Sequence, residues 1–450
     1  MRNRAMVGAL LVILAACAPA PRPAGDLVVG AVFPLRGNAA GLARQELAGV
    51  QAAADLVNAN GGIDGHRVTL EVRDLESAAD APAIMRDLRA QGIAVVLGAY
   101  SSDLSIAASQ AAHDVGLVYW EAGAVADRLT GRGLSGVFRV GASGANLGAN
   151  SAHFAVQELA PRLGKPGRQL RIALVAARDI YAESVAAAAR EVTVAAGSKI
   201  VANLRYDLVV PQWTMVMAKL RDAAPDVIIL ASHIPDGVAF RRAMLDSDLR
   251  VGALIGSTMA ECDPDFAGDL GAGAVGIFAS DRPTGGFRPT ALKPEARRLY
   301  DRLAAYWNAH AIPSAAAEGK SVDDYGTDDY GTHGSEYAIT GPVEEGSAAA
   351  GPTEEAISGY AAAWALFGAV MPQARSLDAE GITDAAFAID LPEGALPNGA
   401  GLRFSQDPAT LGQNERAAAV IWQWQAVRTY AFVWPSTYQT GDIAFIPLER

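Results

Sequence analysis

Cysteine is almost missing from this chain of 450 residues: only Cys17 and Cys262 occur, so no disulfide framework can support the fold. Histidine is nearly as scarce. His66, His113, His153, His233, His310 and His333 are the whole set, and no two of them have the spacing of a metal-binding pair. There is no Gly-x-Ser-x-Gly elbow and no phosphate-binding loop. Gly271 to Gly276 matches Gly-x-Gly-x-x-Gly, but the apolar run Ile277-Phe278-Ala279 follows where a dinucleotide site needs a helix, so these glycines read as a turn. With these parts missing, neither an enzyme nor a cofactor is expected. Positive charge is also in deficit, with 37 Lys and Arg against 49 Asp and Glu and a net charge of −12, which makes nucleic acid a poor partner. No apolar run has the length of a membrane helix.

What is present is apolar bulk. Hydrophobic residues make up 51% of the chain and charged residues 19%, so a large core is possible, and the length suits two or three domains. The first segment is different in kind. Arg2 and Arg4 precede a run of twelve residues, Ala5 to Ala16, which is too short to span a bilayer and has the proportions of a signal-peptide core. Leu14-Ala15-Ala16-Cys17 resembles the bacterial lipobox, whose cysteine becomes the lipidated first residue of the mature protein; the simpler alternative is a secretory signal with a chance cysteine. Residues 1–17 are therefore expected to be a signal and lipidation site and residues 18–26 a Pro-rich tether. Either way the mature chain is expected to be periplasmic or otherwise extracytoplasmic, and in the first case attached to the membrane through its N-terminal lipid. With Cys17 modified, Cys262 has no partner for a disulfide.

Strand and helix patterns then alternate. Strands are predicted at 27–33, 68–73, 93–98 and 117–120, with helices at 45–60, 79–91 and 104–115. A second series begins near Gly141, with strands at 170–176, 200–206, 226–231 and 253–256 between helices at 146–163, 183–195, 213–223 and 237–245. Such alternation means parallel βαβ units, and two series mean an α/β protein of two doubly wound parallel-sheet lobes. Later come helices at 291–311 and 353–371 and strand-like runs at 417–425 and 429–434 that must pair with a sheet already built. Between the two helices lies an acidic segment, 313–357, holding a direct repeat (Asp323 to Thr332), ten acidic residues and one lysine. It lacks the Asp-x-Asp-x-Asp-Gly spacing of a calcium loop and reads as a solvated insertion.

Several stretches carry a family likeness: GAVFPL at 30–35, the following QELAGVQAAADLVNANGGIDGHRVTLEVR at 45–73, LGAYSSDLSIAAS at 97–109, VFRVGASGANLGANSA at 137–152, RIALVAARDIYAES at 171–184, PDVIILASHIPDGVAFRRAM at 225–244 and GQNERAAAVIWQWQ at 412–425. In this order they resemble the type I periplasmic binding proteins, specifically those for branched-chain amino acids. The resemblance implies two lobes joined by three hinge crossings, near 138–141, 276–280 and 401–405, with lobe 1 formed by 27–140 and 277–400 and lobe 2 by 141–276 and 401–450. It further implies a monomer that holds a small-molecule ligand between the lobes and delivers it to an ABC permease made of separate chains.

The chain itself offers a site at the end of the strand over 93–98, where Tyr100, Ser101 and Ser102 precede a helix. Ligands in open parallel sheets bind at such ends. The serines there either cap the helix or turn hydroxyls and N–H groups toward a carboxylate. By resemblance, Ser102 matches a carboxylate-binding serine, Gly123 a backbone contributor and Tyr181 a ligand-contacting tyrosine. Four positions depart from the pattern. Val125 stands where a hydroxyl is expected and Leu42 where a tyrosine is. His233 replaces a second tyrosine, and Thr258 stands in place of the amine-binding glutamate. Glu121 is an unexpected charge that either meets a ligand cation or pairs with an arginine. The ligand class thus stays open between an amino acid and a carboxylate, amide or aromatic acid without an amine. A different role for the same fold is a sensing or envelope-regulatory lipoprotein that docks a protein partner, with the acidic insertion as the docking element.

Overall fold

The computed structural model describes residues 25–37, 39–257, 264–283, 285–310, 352–427 and 429–448. Cys17, Thr258, Cys262 and the repeat at 323–332 lie outside them.

Apolar β-branched runs build two sheets. The first contains β1 (Leu27–Phe33), β2 (Val68–Asp74), β3 (Val95–Gly98), β4 (Val118–Glu121) and β5 (Val137–Arg139), in the order β2-β1-β3-β4-β5 and parallel throughout. The second contains β6 (Arg171–Ala177), β7 (Lys199–Tyr206), β8 (Val227–Ala231), β9 (Ala253–Ser257), β10 (Phe278–Asp281), β11 (Val420–Ala426) and β12 (Thr429–Trp434), in the order β12-β11-β10-β9-β8-β6-β7. It is parallel from β7 to β10 and closes with the antiparallel pairs β10-β11 and β11-β12. Strands β3, β4 and β8 are buried along their whole length, the pattern of a parallel sheet covered on both faces.

Strand order reverses between β1 and β3 in the first sheet and between β6 and β8 in the second. The helices that leave these strands diverge to opposite faces, and a crevice opens at the strands' carboxyl ends. Those crevices contain the loop after β3 with Tyr100 to Ser102, the loop after β6 with Asp179 and Tyr181, and the loop after β8 with Ser232 and His233.

The chain passes between the sheets three times: after β5, after β10 and before β11. The second passage differs from the expected one. The sequence predicts the crossing near 276–280, but Phe278–Asp281 pairs with β9 on one side and β11 on the other, so it is an interior strand of the second sheet and the passage begins at Arg282. Ring and methyl burial decides this, since Phe278 and Ala279 are both enclosed. Between Arg282 and the third passage the chain returns to the first lobe, where Leu299, Trp307, Ile357, Tyr360 and Phe404 join its core.

One helix pair in that core sets the geometry of the cleft. Helix Ala40–Asn58 crosses helix Glu354–Trp364 with backbones almost touching: a Cβ on Gly49 would lie 2.0 Å from the Ala356 carbonyl oxygen, and one on Gly359 2.1 Å from that of Glu46. Only glycine permits such an approach. The second helix also corrects the reading of the acidic insertion at its C-terminal end. Glu354 and Glu355 are buried in the first turn of a helix capped by Thr353, not solvated.

Candidate ligand cleft

The first wall is built at the carboxyl ends of β3 and β4. Tyr100 is buried and takes φ 74°, a left-handed conformation uncommon for residues with a side chain. Ser101 is the N-cap of helix Ser102–Asp114, but its hydroxyl makes no cap hydrogen bond. The Ser102 hydroxyl instead accepts from the Ala126 N–H at 3.2 Å, tying the β3 loop to the β4 loop. Neither serine therefore spends its hydroxyl on capping.

Glu121 plays a different part from either one expected of it. It is fully buried, and Oε1 accepts the N–H groups of Ala122, Gly123 and Ala124 at 3.1, 2.9 and 2.8 Å, while Oε2 accepts from the Tyr119 hydroxyl at 3.1 Å. No arginine lies within ion-pair distance of it among the described residues. Its carboxylate folds the loop after β4 around itself, and the carbonyls of Gly123, Ala124 and Ala126 are taken by buried arginines. Burial raises its pKa, opposed first by the Ser105 hydroxyl and then by the hydrogen bonds of Ala124, Gly123 and Tyr119. Arg139, also buried and lowered to about 10 by burial, takes the carbonyls of Ala124 and Ala126 and the side chain of Gln413, fixing the same loop to the third passage.

The Gly123 carbonyl accepts from Arg282 Nη1 at 2.9 Å. Arg282 also forms an ion pair with Glu354 at 2.6 Å and lies 3.5 Å from Asp281. Burial lowers its pKa, but the carboxylates of Glu354, Asp281, Glu46 and Glu355 outweigh that and keep it charged. Beneath Gly123 lies Glu46, which is 0% exposed and has no hydrogen-bond partner on either oxygen. A Cβ at Gly123 would stand 2.1 Å from Glu46 Oε2, so glycine at this position leaves room for the carboxyl group. Burial above all, then the charge of Glu121, pushes Glu46 well above the ordinary carboxylate range, with Arg282 opposing.

The second wall comes from the β6 and β8 loops. Asp179 caps helix Ile180–Ala195 through the Ala182 N–H at 2.8 Å, and its Oδ2 makes no hydrogen bond but lies 3.6 Å from His233 Nε2. Tyr181 is buried and donates its hydroxyl to the Ser232 carbonyl at 3.1 Å, so its ring rather than its proton is presented to the cleft. The His233 ring lies 5.0 Å from that ring, 3.6 Å from Asp179 and 3.5 Å from Asp236. Burial lowers the His233 pKa, but Asp236, Asp179 and Asp103 together raise it above the ordinary value.

Asp103 belongs to the opposite lobe, and the walls meet elsewhere too. The Asp127 N–H donates to Ser184 Oγ at 3.1 Å, Asp127 Oδ1 accepts from the Ala145 N–H at 2.9 Å, and Ile234 packs into the first lobe's core. Tyr100, Ser101, Ser102, Gly123, Tyr181 and His233 are thus gathered at the strand ends that border the cleft. Glu121 is withdrawn into the loop beneath, and Thr258 lies outside the described residues. Glu46, Asp179, Ser232, Arg282 and Glu354 were missed from sequence. Only Glu46 left a signal there, a charge four residues after Leu42 and four before Val50 on the apolar stripe of its helix.

Among the described residues no group of His, Cys, Asp and Glu has the arrangement to hold a metal ion, and no helix is long and apolar enough to cross a membrane.

Comparison with known proteins agrees with this architecture. Residues 26–322 match the family model for periplasmic binding proteins. The Leu/Ile/Val-binding protein homolog 8 of Brucella suis biovar 1 is 27% identical over 425 residues, 94% of each chain. The branched-chain amino acid transporter substrate-binding protein LivJ of Streptococcus pneumoniae, solved with isoleucine, superposes with a TM-score of 0.67 at 18% identity, covering 91% of this chain and all of that one. A solute-binding protein of R. palustris in complex with benzoate gives 0.64 at 16% identity, covering 93% and 98%. These solved structures share the fold, two parallel-sheet lobes facing across a cleft. With the family model covering well over half its length, the chain belongs to the periplasmic binding protein family.

Proposed function

We propose that this chain is an extracytoplasmic solute-binding protein that captures a small polar solute, an amino acid or a related carboxylate or amide, between its lobes and delivers it to an ABC permease. The observation that carries the reading is the facing of two switch points. Ser102 and Gly123 line one side, Tyr181 and His233 the other, and several buried polar atoms between them have no partner within the protein. A buried polar group without a partner is costly, so a ligand that supplies one is bound in preference to water-filled alternatives. The relatives support the solute class: one is named for leucine, isoleucine and valine, and another was solved with isoleucine.

In this reading the solute first docks on the lobe bearing Ser102 and Gly123, and Tyr181 and His233 reach it when the second lobe closes. Closure is a shift of population, driven by contacts made only in the closed form. No residue is assigned a catalytic step. Cys17 would carry the lipid that keeps the protein at the membrane; Cys17→Ser should release it into the soluble fraction.

The test is a thermal-shift panel of amino acids, carboxylates, amides and amines, because a solute that binds only the folded state raises its stability. At least one class should raise the melting temperature and shrink the protein in small-angle scattering. A panel with no response and unchanged scattering would overturn the reading and favour the docking of a protein partner.

A further inference from the structure

The geometry points to Glu46 as the group that receives a positively charged, N–H-bearing part of the ligand, so that the solute is an amine or amidine rather than a simple carboxylate. The inference rests on the solute-binding reading and narrows it. It begins from a carboxyl group enclosed at the carboxyl end of β4 with nothing to bond to. Glu46 is 0% exposed and neither of its oxygens has a partner. It cannot swing away. Its helix is locked against helix Glu354–Trp364 by the Gly49 and Gly359 contacts, and the carboxyl group rests on the bare Cα of Gly123. A buried polar atom of this kind is either a defect or a receptor for something absent from the protein, and its place beside the strand ends favours the second.

Charge balance selects a cation. The groups facing Glu46 are Tyr100 after β3, Tyr119 and Glu121 of β4, Arg282 after β10, and Glu354 of the crossing helix. Glu121 is already held by three N–H groups and a phenol. Arg282 is the one cation, and it is committed to Glu354, Asp281 and the Gly123 carbonyl. Glu46 therefore has no counter-charge of its own. On the same helix Gln45 Oε1 is a second acceptor without a hydrogen bond, whereas Arg282 Nε, which makes no hydrogen bond either, faces Asp281 at 3.5 Å. A ligand made only of acceptors, such as benzoate, would leave the Glu46 oxygens and Gln45 Oε1 unmet; an ammonium or amidinium, which has only donors, meets them.

Because burial disfavours the charged form of Glu46, binding a cation there must expel its proton to solution. The experiment uses matched pairs: leucine with 4-methylpentanoate, phenylalanine with 3-phenylpropanoate, and γ-aminobutyrate with butyrate, with putrescine and benzamidine added. Each is titrated calorimetrically into the mature protein in phosphate and in Tris at one pH. At least one amine or amidine should bind, its deaminated partner should not, and the buffer dependence should report proton release. Glu46→Gln, which keeps the shape, should weaken that ligand at least about 30-fold and abolish the release. Circular dichroism of the variant separates lost affinity from lost fold, and if it fails to fold, Glu46→Asp takes its place: the shortened side chain should weaken the ligand while proton release on binding is retained. A carboxylate or amide that binds wild type and variant alike, with every amine inert, overturns this inference and leaves solute binding intact. A panel in which nothing binds overturns both.

Discussion

The loop at the end of β4 and the first turns of helix Ala40–Asn58 each bury a glutamate completely, and they treat it in opposite ways. Glu121 is surrounded by donors that its own loop provides within three residues. Glu46 sits a few ångströms away with none. Burial raises the pKa of both, but only Glu121 has hydrogen bonds that pull it back. The comparison separates two uses of a buried charge. One organises the backbone and is satisfied in the folded chain. The other is left wanting, which costs stability and leaves affinity in reserve for a partner from outside.

That contrast can be broken most sharply at Glu121. Glu121→Leu leaves three N–H groups and the Tyr119 hydroxyl without an acceptor and should cost about 4 kcal/mol in urea unfolding, since each orphaned buried donor costs ~1–3 kcal/mol. A loss below about 1 kcal/mol would mean that the loop does not depend on it. Next in size is Gly49→Ala, whose Cβ meets the Ala356 carbonyl oxygen. Separating the two helices should cost about 2 kcal/mol and weaken ligand binding with it. Unchanged affinity in a destabilised variant would disconnect the helix crossing from the site.

Glu46→Met should go the other way, raising stability by about 1 kcal/mol at neutral pH, because an apolar side chain of similar volume replaces an unmet polar one. Its pH dependence sharpens the point. A carboxyl whose folded pKa is raised contributes stability below its unfolded pKa and loses it as pH climbs toward the folded value. Wild type should therefore lose stability from about pH 4.5 upward relative to Glu46→Met, and the two curves should converge in acid. Parallel curves would show that Glu46 has another partner.

The smallest effect is at His233. Its folded pKa is raised, so its contribution is complete below about pH 6.5 and fades as pH rises through the folded value. Asp103→Asn should lower that pKa in an NMR titration, and only when the lobes are closed. An identical value in both variants would remove Asp103 from its surroundings.

Much of the fold was legible because parallel strands buried on two faces write themselves as short runs of Val, Ile, Leu and Ala. The runs near residues 27–33, 170–176 and 226–231 differ from β1, β6 and β8 by at most one residue at either end. The places of Tyr181 and His233 beyond strand ends follow from such runs as well, and the structure sets the two rings 5.0 Å apart there. β10 was misplaced because Phe278–Asp281 is too short to show whether its neighbours are a hinge or two more strands; β11 and β12 settle it from more than a hundred residues away. Glu354 and Glu355 read as solvated for a similar reason. Their burial is decided by Arg282 and by the helix beginning at Ala40, not by anything in their own segment. Glu46 shows the limit most plainly. A charge on an apolar stripe is visible in sequence, but whether the fold supplies its counter-charge is not.

The pairing of β10 with β11 has a temporal side. The open edge of β10 acquires its neighbour only from Val420 onward, so a growing chain carries that strand edge unpaired while the whole stretch between them is made. Any pause in synthesis before that point would leave the second lobe prone to stick to its own kind, whereas the first lobe's strands are all in hand by Arg139.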